Sequence, residues 1–182
     1  LKAALTPQRR EELGNPSPTA EYLGMFGFFF VIALAQALLM CTGNLFFLQI
    51  QCENIALYYL TGVTCAFVFL NIIFALTMTF DNIGKALAVI LLVMQVAGAG
   101  GELPIQLSAP IFQAIYPWLP FTHSMNLFQG AVAGVYGNQF VVSFLCLLAF
   151  VVPALILGII LRRPLMRAND WINAQLHKTG II

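Results

Sequence analysis

The chain has 182 residues, 60% of them hydrophobic and only 8% charged, with a formal net charge of +1. A soluble domain carries about 25% charged residues, so the composition excludes an ordinary soluble globule and reads as an integral membrane protein. A net charge this small gives no footing for a polyanion, and no nucleic-acid partner is expected. The four cysteines, Cys41, Cys52, Cys65 and Cys146, form no CxxC pair and no metal-ligand spacing. Cys65 and Cys146 fall inside apolar runs and read as packing residues. Cys41 and Cys52 lie near one expected helix end and could pair, although spacing alone does not fix the geometry.

Residues 1–21 are polar, and Thr6-Pro7-Gln8 resembles a helix start, with Thr as N-cap and Pro at the first position. A short interfacial helix over 7–13 is expected, ending near Gly14 before Asn15-Pro16-Ser17-Pro18 breaks the chain. The first span is expected at about 22–46, since no charge stands between Glu21 and Glu53, well beyond the ~20 residues needed to cross. The second lies at about 55–79. Asp81-Asn82-Ile83-Gly84-Lys85 reads as a tight polar turn, and a short third span at about 84–99 runs into the glycines Gly98, Gly100 and Gly101.

Residues 95–126 are too broken to cross a bilayer and too apolar for an ordinary soluble loop. Pro104, Pro110, Pro117 and Pro120 each remove a backbone donor, and Phe112, Tyr116, Trp118 and Phe121 are interleaved with them. The segment carries a single acid, Glu102, and no Lys or Arg. It reads as a re-entrant hairpin over about 100–138, dipping into the membrane and turning back. A helix over 121–136 would be too short to cross alone, at ~1.5 Å per residue, and Gly137-Asn138 is expected to end it. The last span is expected at about 140–162, with a kink at Pro153. The tail, 163–182, has Trp171, Ile172 and Leu176 among polar residues, a pattern that suits an interfacial helix.

With four crossings the two ends share a side. Lys2, Arg9, Arg10, Lys85, Arg162, Arg163, Arg167 and Lys178 then all fall on that side, and the opposite loops, about 47–54 and 100–139, contain no Lys or Arg. The positive-inside rule makes both ends cytoplasmic and the hairpin external. The expected fold is therefore an all-α integral membrane domain at 22–162: four transmembrane helices plus an outer re-entrant hairpin, between a cytoplasmic loop at 1–21 and a cytoplasmic tail.

No expected span holds an internal Asp, Glu, Lys, Arg or His, which argues against proton coupling. Gln36, Asn71 and Gln95 are the mid-span amides, with hydroxyls such as Thr64, Thr77 and Ser143. They either hydrogen-bond between helices or line a transport path. His123 reads as a residue at the wet edge of the hairpin, or else as a base or ligand. Glu102 is either solvated or in contact with a partner. Gly130-Ala-Val-Ala-Gly134 is a small-xxx-small pattern that permits close helix approach. No Walker A, GxSxG or HExxH motif occurs. No enzyme and no cofactor is therefore expected.

Three stretches carry a resemblance: Asp81-Asn82-Ile83-Gly84-Lys85; Gln95-Val96-Ala97-Gly98-Ala99-Gly100-Gly101-Glu102-Leu103-Pro104; and Phe112-Gln113-Ala114-Ile115-Tyr116-Pro117-Trp118-Leu119-Pro120-Phe121-Thr122. They resemble the C-terminal membrane domain of the YhgE/Pip family. That family, of the ABC-2-type membrane-domain superfamily, includes phage infection proteins and the EsaA/YueB-like components of type VII secretion. Where the family has a small hydroxyl residue and an aromatic, this chain has Glu102-Leu103. The chain begins with Leu1 and no signal peptide precedes its first apolar run. It reads as the C-terminal part of something longer, and the resemblance makes it the last four of six spans in a bacterial plasma-membrane protein.

The resemblance implies a homodimer embedded among membrane lipids, acting as an export or secretion component or as a phage-receptor scaffold, with type VII secretion components as partners. The alternative is an ABC-2 exporter permease driven by a separate ATPase subunit docked near Arg9 and Arg10. A small membrane enzyme would need a His/Asp/Glu cluster at one membrane face, and the sequence offers none.

Overall fold

A computed structural model describes residues 18–80, 82–98, 105–107 and 109–161. Among them every regular element is helical. Helix α1, Pro18–Phe46, has Glu21 in its first turn, where a carboxylate meets the positive end of the helix dipole. Helix α2, Ile55–Phe80, is started by Asn54, whose Oδ1 accepts the Leu57 N–H at 3.1 Å as an N-cap. Helix α3, Asn82–Gly98, follows closely.

Helix α4, Pro110–Ile115, and helix α5, Pro120–Ala133, each carry Pro in the first turn, where a missing N–H costs no intrahelical bond. Single 3-10 turns at Ile105–Leu107 and Tyr116–Trp118 flank α4. Helix α6 is Gln139–Ala149 and α7 is Val151–Leu155, followed by a π-helical segment, Ile156–Leu161. The helix is interrupted at Phe150, next to Ala149, whose carbonyl lies four residues before Pro153, where a proline ring crowds the ladder.

Three helical stretches are long and apolar enough to cross a membrane: Thr19–Phe46, Ile55–Phe80 and Gln139–Ile160. The expected third span, 84–99, is a helix of 17 residues. Its length is about 26 Å at ~1.5 Å per residue, under the ~30 Å of a hydrocarbon core. Among the described residues, three helices rather than four therefore meet the length requirement. The expected helices at 7–13 and 164–178 lie outside the described residues.

Helix α2 is the hub. It contacts α1, α3, α5, α6, α7 and the π segment. Three buried clusters follow one another along it: Tyr22, Phe74 and Met78 toward its C-terminal end; Val68, Leu127 and Leu147 in the middle; Cys41, Tyr58 and Ala131 toward its start. The distribution is the reverse of a soluble protein's. Thr61, Asn71, Thr79, Gln95, Thr122 and Ser143 are buried, whereas Phe28, Val31, Leu39, Val142 and Leu145 stand exposed on the outside. An apolar exterior of this extent matches a lipid surround.

Gly84 shows how tightly α3 returns along α2. A Cβ at this position would overlap the Leu76 carbonyl, which is backbone and cannot swing aside. This close approach is what the glycine of the tight 81–85 stretch supplies. Gly27 has open space beside it. Gly84→Ala is expected to destabilise the domain by about 1–3 kcal/mol, the range for forced overpacking. Gly27→Ala is expected to be neutral or slightly stabilising. Thermal melting of the two variants in detergent measures the difference.

Candidate functional site

The segment between α4 and α5 is where the chain departs from straight helices. Pro117 and Pro120 bring no N–H, so nearby carbonyls need other donors. Thr122 Oγ1 donates to the Tyr116 carbonyl at 2.8 Å and Ser124 Oγ to the Pro120 carbonyl at 3.1 Å. The His123 ring Nε2 lies 3.1 Å from the Pro117 carbonyl. Consecutive side chains 122, 123 and 124 thus each serve a carbonyl of the turn. His123 is half-buried, with its ring 6.3 Å from that of Phe150 at the α6–α7 break.

Helix α5 runs from this turn back along α2. Phe121 meets Phe69 with ring centroids 6.2 Å apart, and Phe128 meets Tyr58 at 5.1 Å. Its 14 residues cover about 21 Å at ~1.5 Å per residue, so it begins beside the middle of α2 and ends level with the start of α2. There the preceding loop receives it. Glu53 N–H donates to the Val132 carbonyl and Asn54 N–H to the Ala131 carbonyl, both at 3.1 Å, and Cys52 Sγ donates to Ala131 at 3.1 Å. The last carbonyls of α5, which have no intrahelical donors, are satisfied by the α1–α2 loop. The helix stops at Ala133 because Gly134 turns the backbone to φ 100°. That is three residues before the stop expected at Gly137.

Helices α1, α2 and α5 enclose a groove of about 950 Å³. Its walls are small or apolar: Ala33 and Ala37 from α1, Gly62, Ala66 and Phe69 from α2, Met125 and Phe128 from α5. Asn44, Tyr58 and Gln129 gather at the end near the α1–α2 loop, and Gln36 opens on the groove further along. Asn44 Nδ2 donates to the Tyr58 hydroxyl at 3.0 Å, and the hydroxyls of Thr42 and Tyr59 lie 2.9 Å apart. At the other end α1 and α2 close on each other through rings, Phe30 against Phe67 at 5.6 Å and Phe26 against Phe74 at 5.6 Å.

The residues singled out from sequence do not assemble into one site. Gln36 is exposed and lines the groove. Asn71 is buried, and its Nδ2 donates to the Phe67 carbonyl one turn back in its own helix, at 3.0 Å. Its Oδ1, the Oε1 of buried Gln95 and the Oγ1 of Thr61 have no hydrogen-bond partner among the described residues. Thr64 and Thr77 bond back to Leu60 and Ile73 within α2, not across helices.

Gly98 lies against Leu119, Phe112 and Ile115, and a Cβ there would come within 2.7 Å of Leu119 Cδ1. This contact sets the end of α3 on the turn before α5. Pro120 is buried and Pro117 exposed. Gly100, Gly101, Glu102, Pro104, Arg9 and Arg10 lie outside the described residues. The four cysteines are free thiols, so Cys41 and Cys52 are not paired. Among the described residues no group of three His, Cys, Asp or Glu could hold a metal ion. Sequence reasoning missed Asn44, Tyr58 and Gln129. The one signal was the Tyr58-Tyr59 pair at a span end, the place where aromatic belts gather.

These features define an all-helical domain with three membrane-length helices and a half-length helix seated against the central one. Over 125 residues, 68% of this chain, it is 30% identical to "Uncharacterized protein YhgE" of Bacillus subtilis (strain 168). The chain spans only 16% of that relative's length. No protein-family model matches the chain, and no solved structure does.

Two substitutions test the side-chain bonds at the turn before α5 and at the start of α2. Thr122→Val keeps the shape and removes the bond to Tyr116, and is expected to cost about 0.5–1.5 kcal/mol. Asn54→Ala removes the α2 N-cap and is expected to cost about 0.5–2 kcal/mol. Thermal unfolding in detergent reads both, and an unchanged midpoint for either would show that its hydrogen bond is dispensable.

Proposed function

We propose that the chain is the membrane domain of a YhgE-like bacterial protein. In this reading it works without chemistry of its own, as a dimeric export or secretion component of the plasma membrane. The observation that carries the reading is helix α5. It starts beside the middle of α2 behind two prolines and returns to the α1–α2 loop, as the inner limb of a re-entrant hairpin would. Irregular backbone is tolerated at membrane depth only where protein covers it, and the bonds of Thr122, His123 and Ser124 supply that cover. Helix α3 then serves as a short fourth crossing, both ends of the chain are cytoplasmic, and the hairpin opens outward. The similarity to YhgE supports the same assignment over two thirds of the chain.

Two measurements test it. In a background with the four native cysteines replaced by alanine, Asn138→Cys and Glu102→Cys are expected to react with an impermeant maleimide added outside cells, and Arg10→Cys and Arg167→Cys are not. The reverse pattern would overturn the orientation. Purification of the full-length protein in mild detergent is expected to return a homodimer with secretion components. A stoichiometric nucleotide-binding subunit would instead make it a driven exporter permease, and a monomer without partners would remove the export role.

A further inference from the structure

We propose that the groove between α1, α2 and α5 holds the acyl chain of a membrane amphipath with an uncharged, hydroxyl-bearing headgroup. The tail lies along Ala37, Ala66 and Phe69, and the headgroup sits at Asn44, Tyr58 and Gln129. This rests on the membrane reading above and gives it a class of cargo.

Three observations carry the proposal. The first is size: about 950 Å³ falls in the ~300–1,000 Å³ range of small-molecule sites. The second is length. The groove runs about 17 Å along α1, from Ala33 to Asn44, and about 22 Å along α2, from Tyr58 to Ile73, at ~1.5 Å per residue, short of the ~30 Å hydrocarbon core. That is less than a full crossing and enough for one lipid tail. Along α1 the Phe26–Phe74 and Phe30–Phe67 contacts close the two helices beyond Ala33. A spanning helix of a second copy would need the groove to continue across the full core, and it does not.

The third observation is the order of polarity along the groove. Among the described residues no Asp, Glu, Lys, Arg or His lines it, and apart from Gln36 its amide and phenol side chains stand at one end. An anionic or cationic headgroup would find no countercharge there. A glycerol or sugar hydroxyl would find an amide, a phenol and a second amide, the kind of donors and acceptors that orient a ligand in an otherwise apolar site.

The test uses the full chain in phosphatidylcholine nanodiscs doped with 1-monopalmitoylglycerol bearing a photoactivatable diazirine in mid-tail. Adducts mapped by mass spectrometry are expected on Cys65, Phe69 and Met125, and to be competed by unlabelled monopalmitoylglycerol but not by monopalmitoyl phosphate. Ala37→Trp and, separately, Ala66→Phe fill the groove and are expected to lower these adducts about tenfold. Leu39→Trp on the outer face leaves them unchanged and serves as the folded control. Adducts spread evenly over outer residues such as Leu39 and Val142, with no response to either groove variant, would overturn the proposal. So would disulfide-linked pairs of chains carrying Ala37→Cys without lipid adducts, which would give the groove to a second copy. A monomeric purification without secretion partners would remove the export role and leave the adduct pattern standing, so the two failures are distinguishable.

Discussion

A backbone carbonyl surrounded by hydrocarbon must find its donor within the protein, and most of the irregular features of this chain follow from that rule. Beside the prolines at 117 and 120, which bring no N–H, the side chains of Thr122, His123 and Ser124 meet the Tyr116, Pro117 and Pro120 carbonyls. The end of α5 exposes carbonyls, and the loop ahead of α2 brings the N–H groups of Glu53 and Asn54 to them. The π-helical segment after Pro153 loosens the ladder, and Thr79 Oγ1 reaches the Leu157 carbonyl from α2 at 3.4 Å.

Helix α2 is central to the bundle, and it carries Thr61, Thr64, Asn71 and Thr79 as buried polar positions. Some of these groups bond to their own helix. Thr79 bonds across to another, and the Oγ1 of Thr61 and Oδ1 of Asn71 find no partner among the described residues. Its apolar side chains meanwhile divide three clusters among its neighbours: Phe74 and Met78 with Tyr22 of α1, Val68 with α5 and α6, Tyr58 with Cys41 and Ala131. Tyr22 sits edge-on to Phe74 with centroids 4.9 Å apart, in the geometry aromatic pairs prefer.

The long helices were legible because a charge-free apolar run leaves a chain little choice. The half-length helix was legible as well: 14 residues behind two prolines cannot cross. Its end was not, since Gly134 and Gly137 look alike in sequence and only the fold decides which one ends the helix; both take a positive φ. The polar residues were read less well. Asn71 looks like an interhelical residue, yet its amide turns back on its own helix. His123 looks like a candidate base, and its ring is held at a proline carbonyl. The groove was invisible because it is made of gaps: Ala37, Gly62 and Ala66 are small residues on helices whose relative rotation no local pattern reports. The polar residues at its mouth stood at helix ends, where a sequence reading expects polar residues for ordinary reasons.

The bonds from Glu53 and Asn54 to the end of α5 join two parts of the chain about 80 residues apart. Asn54 is at once the cap of α2 and a donor to Ala131, so the end of the half-length helix and the start of the central helix are fastened at one residue. A change at that residue therefore reaches two elements together: its side chain sets where α2 begins, and its backbone sets where α5 is received.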